Sequence, residues 1–80
     1  MKVSKAIAIR LKKYLQDKNV TMYRLERNAC IPHATMMDIV NARRESCNVK
    51  TLITILRALG VSVSEFFDDP MFESDELEID

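Results

Sequence analysis

Residues 20–44 read VTMYRLERNACIPHATMMDIVNARR, and the spacing of their apolar side chains decides what kind of domain this is. Thr21 offers an N-cap hydroxyl to a helix of two turns, Met22 to Ala29, in which Leu25 and Ala29 sit one turn apart on the face to be buried. Cys30 and Ile31 leave a very short connection before Pro32, whose missing N–H costs nothing at a helix start. A second short helix therefore runs from Pro32 to about Asn41. Met36, Ile39 and Val40 recur at helical spacing as its buried face. His33, Ala34, Met37, Asp38 and Asn41 are left as a stripe on the other side, with no internal partner to explain them.

Two short helices need longer ones to pack against, and the flanking sequence supplies them. Ile7, Leu11, Tyr14 and Leu15 predict a first helix over about Ser4 to Lys18, with Ser4 as N-cap and Asn19 as its stop. After the polar loop ARRESCN, the run VKTLITILRALG repeats Leu52, Ile55, Leu56 and Leu59 with helical period, and Gly60 ends it. Ser62 and Glu65 form the pattern of a capping box for a last short helix, SVSEFF, loaded with Phe66 and Phe67. The chain has 80 residues, one Gly, two Pro and no Trp, which favours one small all-α domain of five helices over a sheet. The domain is expected over residues 1–67 and a flexible acidic tail over 68–80.

The formal net charge of zero hides a segregation. Residues 1–67 hold all twelve Lys and Arg and only Asp17, Glu26, Asp38, Glu45 and Glu65, a net +7; residues 68–80 hold seven acids and no base, a net −7. A basic domain is suited to a polyanion, whereas a segment with seven acids in thirteen residues reads as disordered. There is no apolar run long enough for a membrane span and no secretory leader pattern, so the expected location is the cytoplasm, where Cys30 and Cys47 stay thiols.

Catalysis has little to work with. The single His has no nucleophile or orienting group in a recognisable pattern, and no Gly-rich phosphate loop is present, so no enzyme and no cofactor are expected. Cys30, His33 and Cys47 offer three potential zinc ligands without a fourth, and no metal is expected.

RLKKYLQDKNVTMYRLERNACIPHATMMDIVNARR followed by VKTLITILRALGVSVSEFF resembles the lambda-repressor-like, Cro/XRE-type helix-turn-helix family over about residues 7–67. The resemblance implies a five-helix DNA-binding domain and a transcriptional regulator, most often a repressor, whose third helix enters the major groove. It gives the unexplained stripe a job: His33 donating to a purine N7, Asp38 accepting from a cytosine amino group, Ala34 and Met37 meeting a thymine methyl. Phosphate contacts are implied for Thr21, Tyr23, Thr35, Asn41, Arg43, Arg44 and Lys50, around the start of the second helix and after the third.

Four positions depart from the family pattern. Met22 stands where a phosphate-gripping glutamine is usual, Leu15 and Val40 replace a buried Arg–Glu pair, and Cys30 stands where the turn has glycine. A two-fold dimer on DNA is implied, with Val61, Val63, Phe66 and Phe67 as the seam. The alternative is a protein-binding module, an antitoxin or adaptor on the same scaffold, using the acidic tail as its contact.

Overall fold

The computed structural model describes residues 1–79 and contains five helices: α1 (Val3–Asp17), α2 (Met22–Ala29), α3 (His33–Val40), α4 (Val49–Leu59) and α5 (Val63–Phe67). Asp80, the last residue of the acidic segment, lies outside the described residues. α1 packs on α3 and α2 on α4, with α5 against α4. The space between them is filled by Leu11, Leu25, Met36, Ile55, Leu56 and Phe66, all fully buried. Burying each of these side chains stabilises the fold by about 1.5–3 kcal/mol before ordering costs.

Leu15 and Val40 are both in this core. Apolar packing therefore occupies the positions where the family pattern has a buried ion pair, a replacement that avoids desolvating two charges.

The helix ends follow from local chemistry. Thr21 Oγ1 accepts from the Arg24 N–H at 3.1 Å, and Ser62 Oγ from that of Glu65 at 3.1 Å. The Glu65 side chain does not complete a capping box; it turns away to accept from the Tyr14 hydroxyl at 3.0 Å. α1, α2 and α4 each stop at a residue in the left-handed region: Asn19 (φ 55°), Cys30 (φ 56°) and Gly60 (φ 74°). Ala42 (φ 51°) does the same after α3. At Cys30 the reversal brings the Ile31 N–H onto the Glu26 carbonyl at 3.0 Å, which closes α2 and aims the chain into α3. Only Gly adopts this conformation without a Cβ penalty, so Cys30 and Ala42 are strained.

Two expectations from the sequence are corrected by the helix starts. α1 begins at Val3 with Lys2 at its N-cap, and Ser4 is buried within the first turn. The reason lies at the other end of the chain: the Val3 N–H donates to the Glu78 carbonyl at 3.2 Å, so a serine hydroxyl is not needed there. α3 begins at His33, with Pro32 as the extended residue just before it.

The segment after Phe67, expected as a flexible tail, makes contacts with the domain. Asp69 caps a single 3-10 turn, Pro70–Phe72, by accepting from the Met71 N–H at 2.9 Å. Phe72 then packs edge-on against Phe67, with ring centroids 4.9 Å apart, and near Phe66 at 6.0 Å. Further on, Glu78 pairs with the Met1–Val3 backbone, its N–H donating to the Met1 carbonyl at 2.7 Å. Arg10 ties both α5 and this segment to α1: it donates to the α5 carbonyls of Phe66 at 2.9 Å and Glu65 at 3.0 Å and lies 3.6 Å from the Asp69 carboxylate of the segment. The apolar load of the segment is small, but it meets an aromatic cluster ready to receive it.

The four seam candidates also separate. Val61 (5% exposed) and Phe66 (0%) belong to the monomer core, because the turn after Gly60 and the inner face of α5 direct them inward. Val63 (46%) and Phe67 (37%) remain at the surface.

Candidate nucleic-acid interface

α3 is held in place by the αL turn at Cys30, by the burial of Met36 and Val40, and by a hydrogen bond from the Met36 N–H to the Pro32 carbonyl at 3.1 Å. With that face committed inward, His33, Ala34, Thr35 and Asn41 are exposed, while Met37, Asp38 and Ile39 are half-buried along its flanks. The stripe expected from spacing is therefore present, but its members are not equally free.

His33 begins the helix and does not stand alone. Its Nδ1 lies 2.8 Å from Oε2 of Glu26, a residue of α2 that is itself buried. Ala34, one residue on, presents a methyl group with nothing covering it. Met37 leans away from the centre of the stripe into an open groove of about 530 Å³, lined also by Leu15, Val20, Met22 and Val40. Its sulfur receives the Asn41 amide at 3.8 Å. Met37 and Met22 thus share one apolar wall at the junction of α1, α2 and α3.

Asp38 is turned along the helix toward the loop. Its carboxylate accepts from Arg44 Nε at 3.2 Å and lies 3.8 Å from Arg43, both guanidinium groups being largely in solvent. The loop itself is bent back by the Ala42 reversal, which lets the Arg43 N–H donate to the Asp38 carbonyl at 2.9 Å. Exposed pairs of this kind are worth only about 0–1 kcal/mol, so the arginines can exchange the carboxylate for a phosphate at little cost.

Beside this cluster a polar cleft of about 470 Å³ runs to the start of α4, lined by Thr35, Arg44, Asn48 and Thr51 among others. Asn48, absent from the sequence candidates, caps α4: its side-chain oxygen accepts from the Lys50 N–H at 2.9 Å and from that of Thr51 at 3.4 Å. Its position one residue before VKTL was the available signal. Lys50 follows on the first turn, exposed. Cys47, on the cleft wall, has its thiol pushed up by burial, which favours the protonated form.

The start of α2 carries the remaining candidates. Thr21 is exposed but uses its hydroxyl oxygen on the cap, leaving the O–H hydrogen to donate outward. Tyr23 is exposed and lies under Arg27, whose guanidinium is 5.7 Å from the ring centroid and donates to the Tyr23 hydroxyl at 3.2 Å. Arg27 was not among the sequence candidates; its spacing of four from Tyr23 was the clue.

His33, Ala34 and Asp38 are thus brought onto one face with Thr35, Asn41, Arg43 and Arg44. Among the described residues, no group of three His, Cys, Asp or Glu side chains comes together as a metal site, and no helix is long and apolar enough to cross a membrane.

A comparison with curated proteins and another with solved structures each returned no match. The family comparison did: residues 10–70, from the middle of α1 to the start of the 3-10 turn, match the Cro/C1-type helix-turn-helix DNA-binding domain. That match takes in α2, the αL turn at Cys30 and α3, and by it the chain belongs to the Cro/C1-type helix-turn-helix DNA-binding family.

Proposed function

We propose that this protein is a sequence-specific transcriptional regulator, a repressor working in the cytoplasm as a two-fold dimer on double-stranded DNA. One observation carries the reading: α3 exposes groups suited to base edges at its start, His33 and Ala34, and the loop that follows it carries two solvent-exposed arginines, Arg43 and Arg44. The first set specifies and the second positions, the division of labour that protein–DNA contacts follow. Met37 contributes to a thymine methyl from the flank, and Asp38 reaches a cytosine amino group once DNA phosphates draw the arginines off it. Thr21, Tyr23, Thr35, Asn41 and Lys50 add phosphate contacts from the edges of the same surface.

A lone α3 spans too few base pairs for useful selectivity, which favours two copies one helical turn apart. Val63 and Phe67 are the surface-exposed apolar residues near the C-terminal end of the domain that fit the seam. The test is selection from randomised duplex DNA at a stated salt near 0.1 M, followed by sedimentation of the saturated complex. A palindromic site holding two chains is the expected result. Uniform affinity for all duplexes would overturn the sequence-specific reading, and one chain per site would overturn the dimer.

The protein-binding alternative draws on a separate feature. Ile79 is exposed beside the acidic Asp75, Glu76 and Glu78, on a segment whose backbone meets the rest of the chain at Met1–Val3. Loss of all DNA binding in the selection, with retention of fold, would favour it.

A further inference from the structure

His33 is the one base-facing candidate whose direction is set from another helix. Its imidazole is 70% exposed, whereas the Glu26 carboxylate that meets it at 2.8 Å is only 10% exposed. Glu26 is therefore the fixed partner and His33 the projecting one. An ionised carboxylate can only accept, so the hydrogen between the two sits on Nδ1. The consequence falls on the outer nitrogen. In the neutral ring Nε2 has a lone pair and no hydrogen; in the protonated ring it carries N–H.

The major-groove edges of bases separate these two states. Hydrogen donors are found only at adenine N6 and cytosine N4, while purine N7 and guanine O6 accept, as does thymine O4. One side chain in one place thus asks for different bases according to its proton.

Resting on the DNA-reading role proposed above, we infer that Glu26 is a positioning residue that makes His33 a proton-dependent reader of one base pair. The neutral ring takes the amino group of adenine or cytosine, and the protonated ring favours guanine, the base whose major-groove edge offers two acceptors, N7 and O6, and no donor to repel a cation. Other charged groups of the neighbouring elements are engaged elsewhere: Arg27 of α2 lies over Tyr23, and Asp38 of α3 is paired with Arg43 and Arg44. Glu26 is the charged side chain paired with the ring among the described residues. The sequence does not disclose this, because the partners lie seven residues apart across a turn.

The experiment uses the full chain in two arms. In the first, nitrogen NMR of the free protein reports which ring nitrogen carries hydrogen in the neutral form. Nδ1–H is expected in the parent, and a gain of the Nε2–H form in Glu26→Gln, whose amide can donate to Nδ1. A parent with hydrogen on Nε2 would overturn the inference without touching the DNA-reading role. In the second, duplex selection is run at about pH 5.5 and about pH 8, the range over which histidines change charge. The parent is expected to shift one position toward guanine at the lower pH, by about fivefold or more, the low end of a base contact. Glu26→Gln should lose most of that shift. If Glu26→Gln does not fold, His33→Gln serves in its place and should prefer the same base at both pH values; a shift that persists there would overturn the inference. Absence of sequence preference in the parent at both pH values would overturn the DNA-reading role, and the inference with it, whatever the NMR arm shows.

Discussion

Asp38 accepts a hydrogen bond from Arg44 Nε at 3.2 Å, across the reversal that ends α3. A candidate base reader and a candidate phosphate-binding residue therefore neutralise one another in the free protein. The pair is an exposed one and costs little to open, so a phosphate offered to Arg44 would compete with the carboxylate.

Replacing both loop arginines, Arg43→Ala with Arg44→Ala, should weaken binding to all duplexes alike. The slope of log affinity against log salt should fall by about 0.9 for each phosphate that the variant no longer neutralises. Equal affinity and equal slope in the double variant would remove both residues from the phosphate set.

Asp38→Ala should have two separable effects. Non-specific affinity should rise, because the arginines are released, and preference at one base pair should relax by about 1–3 kcal/mol. Selection and a salt titration on the same variant read the two effects independently. If only the first appears, Asp38 competes for the arginines and is not a reader.

Glycine should suit the two strained reversals better than the residues present. Cys30→Gly and Ala42→Gly are each expected to stabilise the fold by about 1 kcal/mol, because the left-handed conformation penalises a Cβ by roughly that amount. The midpoint of urea unfolding should move up with an unchanged slope. Asn19→Gly should gain less, since asparagine visits this conformation more readily. A lower midpoint for Cys30→Gly would mean that the thiol contributes more through its packing than the backbone loses.

Removing residues after Phe67 should lower the melting temperature. The 3-10 turn packs the half-buried Phe72 against Phe66 and Phe67, and Asp69 lies against Arg10. A loss of about 2 kcal/mol would lower the melting temperature by roughly 10 °C in a domain of this size. Phe72→Ala alone should account for much of it. Unchanged melting with tighter DNA binding at low salt would instead restore a flexible segment that competes for the basic face.

Alkali should weaken the fold in two steps. Burial holds the Cys47 thiol above its ordinary 9.0. Burial, and then the hydrogen bond to Glu65, hold the Tyr14 phenol above 10.0, against the opposing pull of Arg10. Both groups are more easily ionised in the unfolded chain, so their contribution is fully present below those ordinary values and is lost as pH rises through the higher folded ones. Urea midpoints measured from pH 8 upward should fall beyond about pH 9. Cys47→Ala should remove the earlier part of the decline and Tyr14→Phe the later. A flat profile in the parent would contradict both shifts.

Where a boundary is written beside the element it bounds, the sequence discloses it. Thr21 and Ser62 cap, Gly60 stops a helix, and Met36 with Val40 marks the inner face of α3, all by local chemistry. The start of α1 is not legible in this way, because its first N–H is satisfied from Glu78 and no neighbouring residue announces it. The docking of Phe72 is masked by the acids around it, which argue for solvation although one aromatic ring finds a cluster to join. On α3, helical spacing marks which side chains are left outside the core. It does not show that Asp38 and His33 are already engaged, since each partner arrives through a turn whose geometry no periodicity encodes.

The bond between Val3 and Glu78 also sets an order of events during synthesis. The N–H that opens the first helix finds its acceptor in a residue translated almost a whole chain later, so on the ribosome α1 stays frayed at its start until the acidic segment has emerged. The helix-turn-helix can assemble from residues already in hand, whereas its outermost turn is fastened last. A bulky fusion placed ahead of Met1 should therefore loosen that final fastening more than it disturbs α2 and α3, which complete themselves without it.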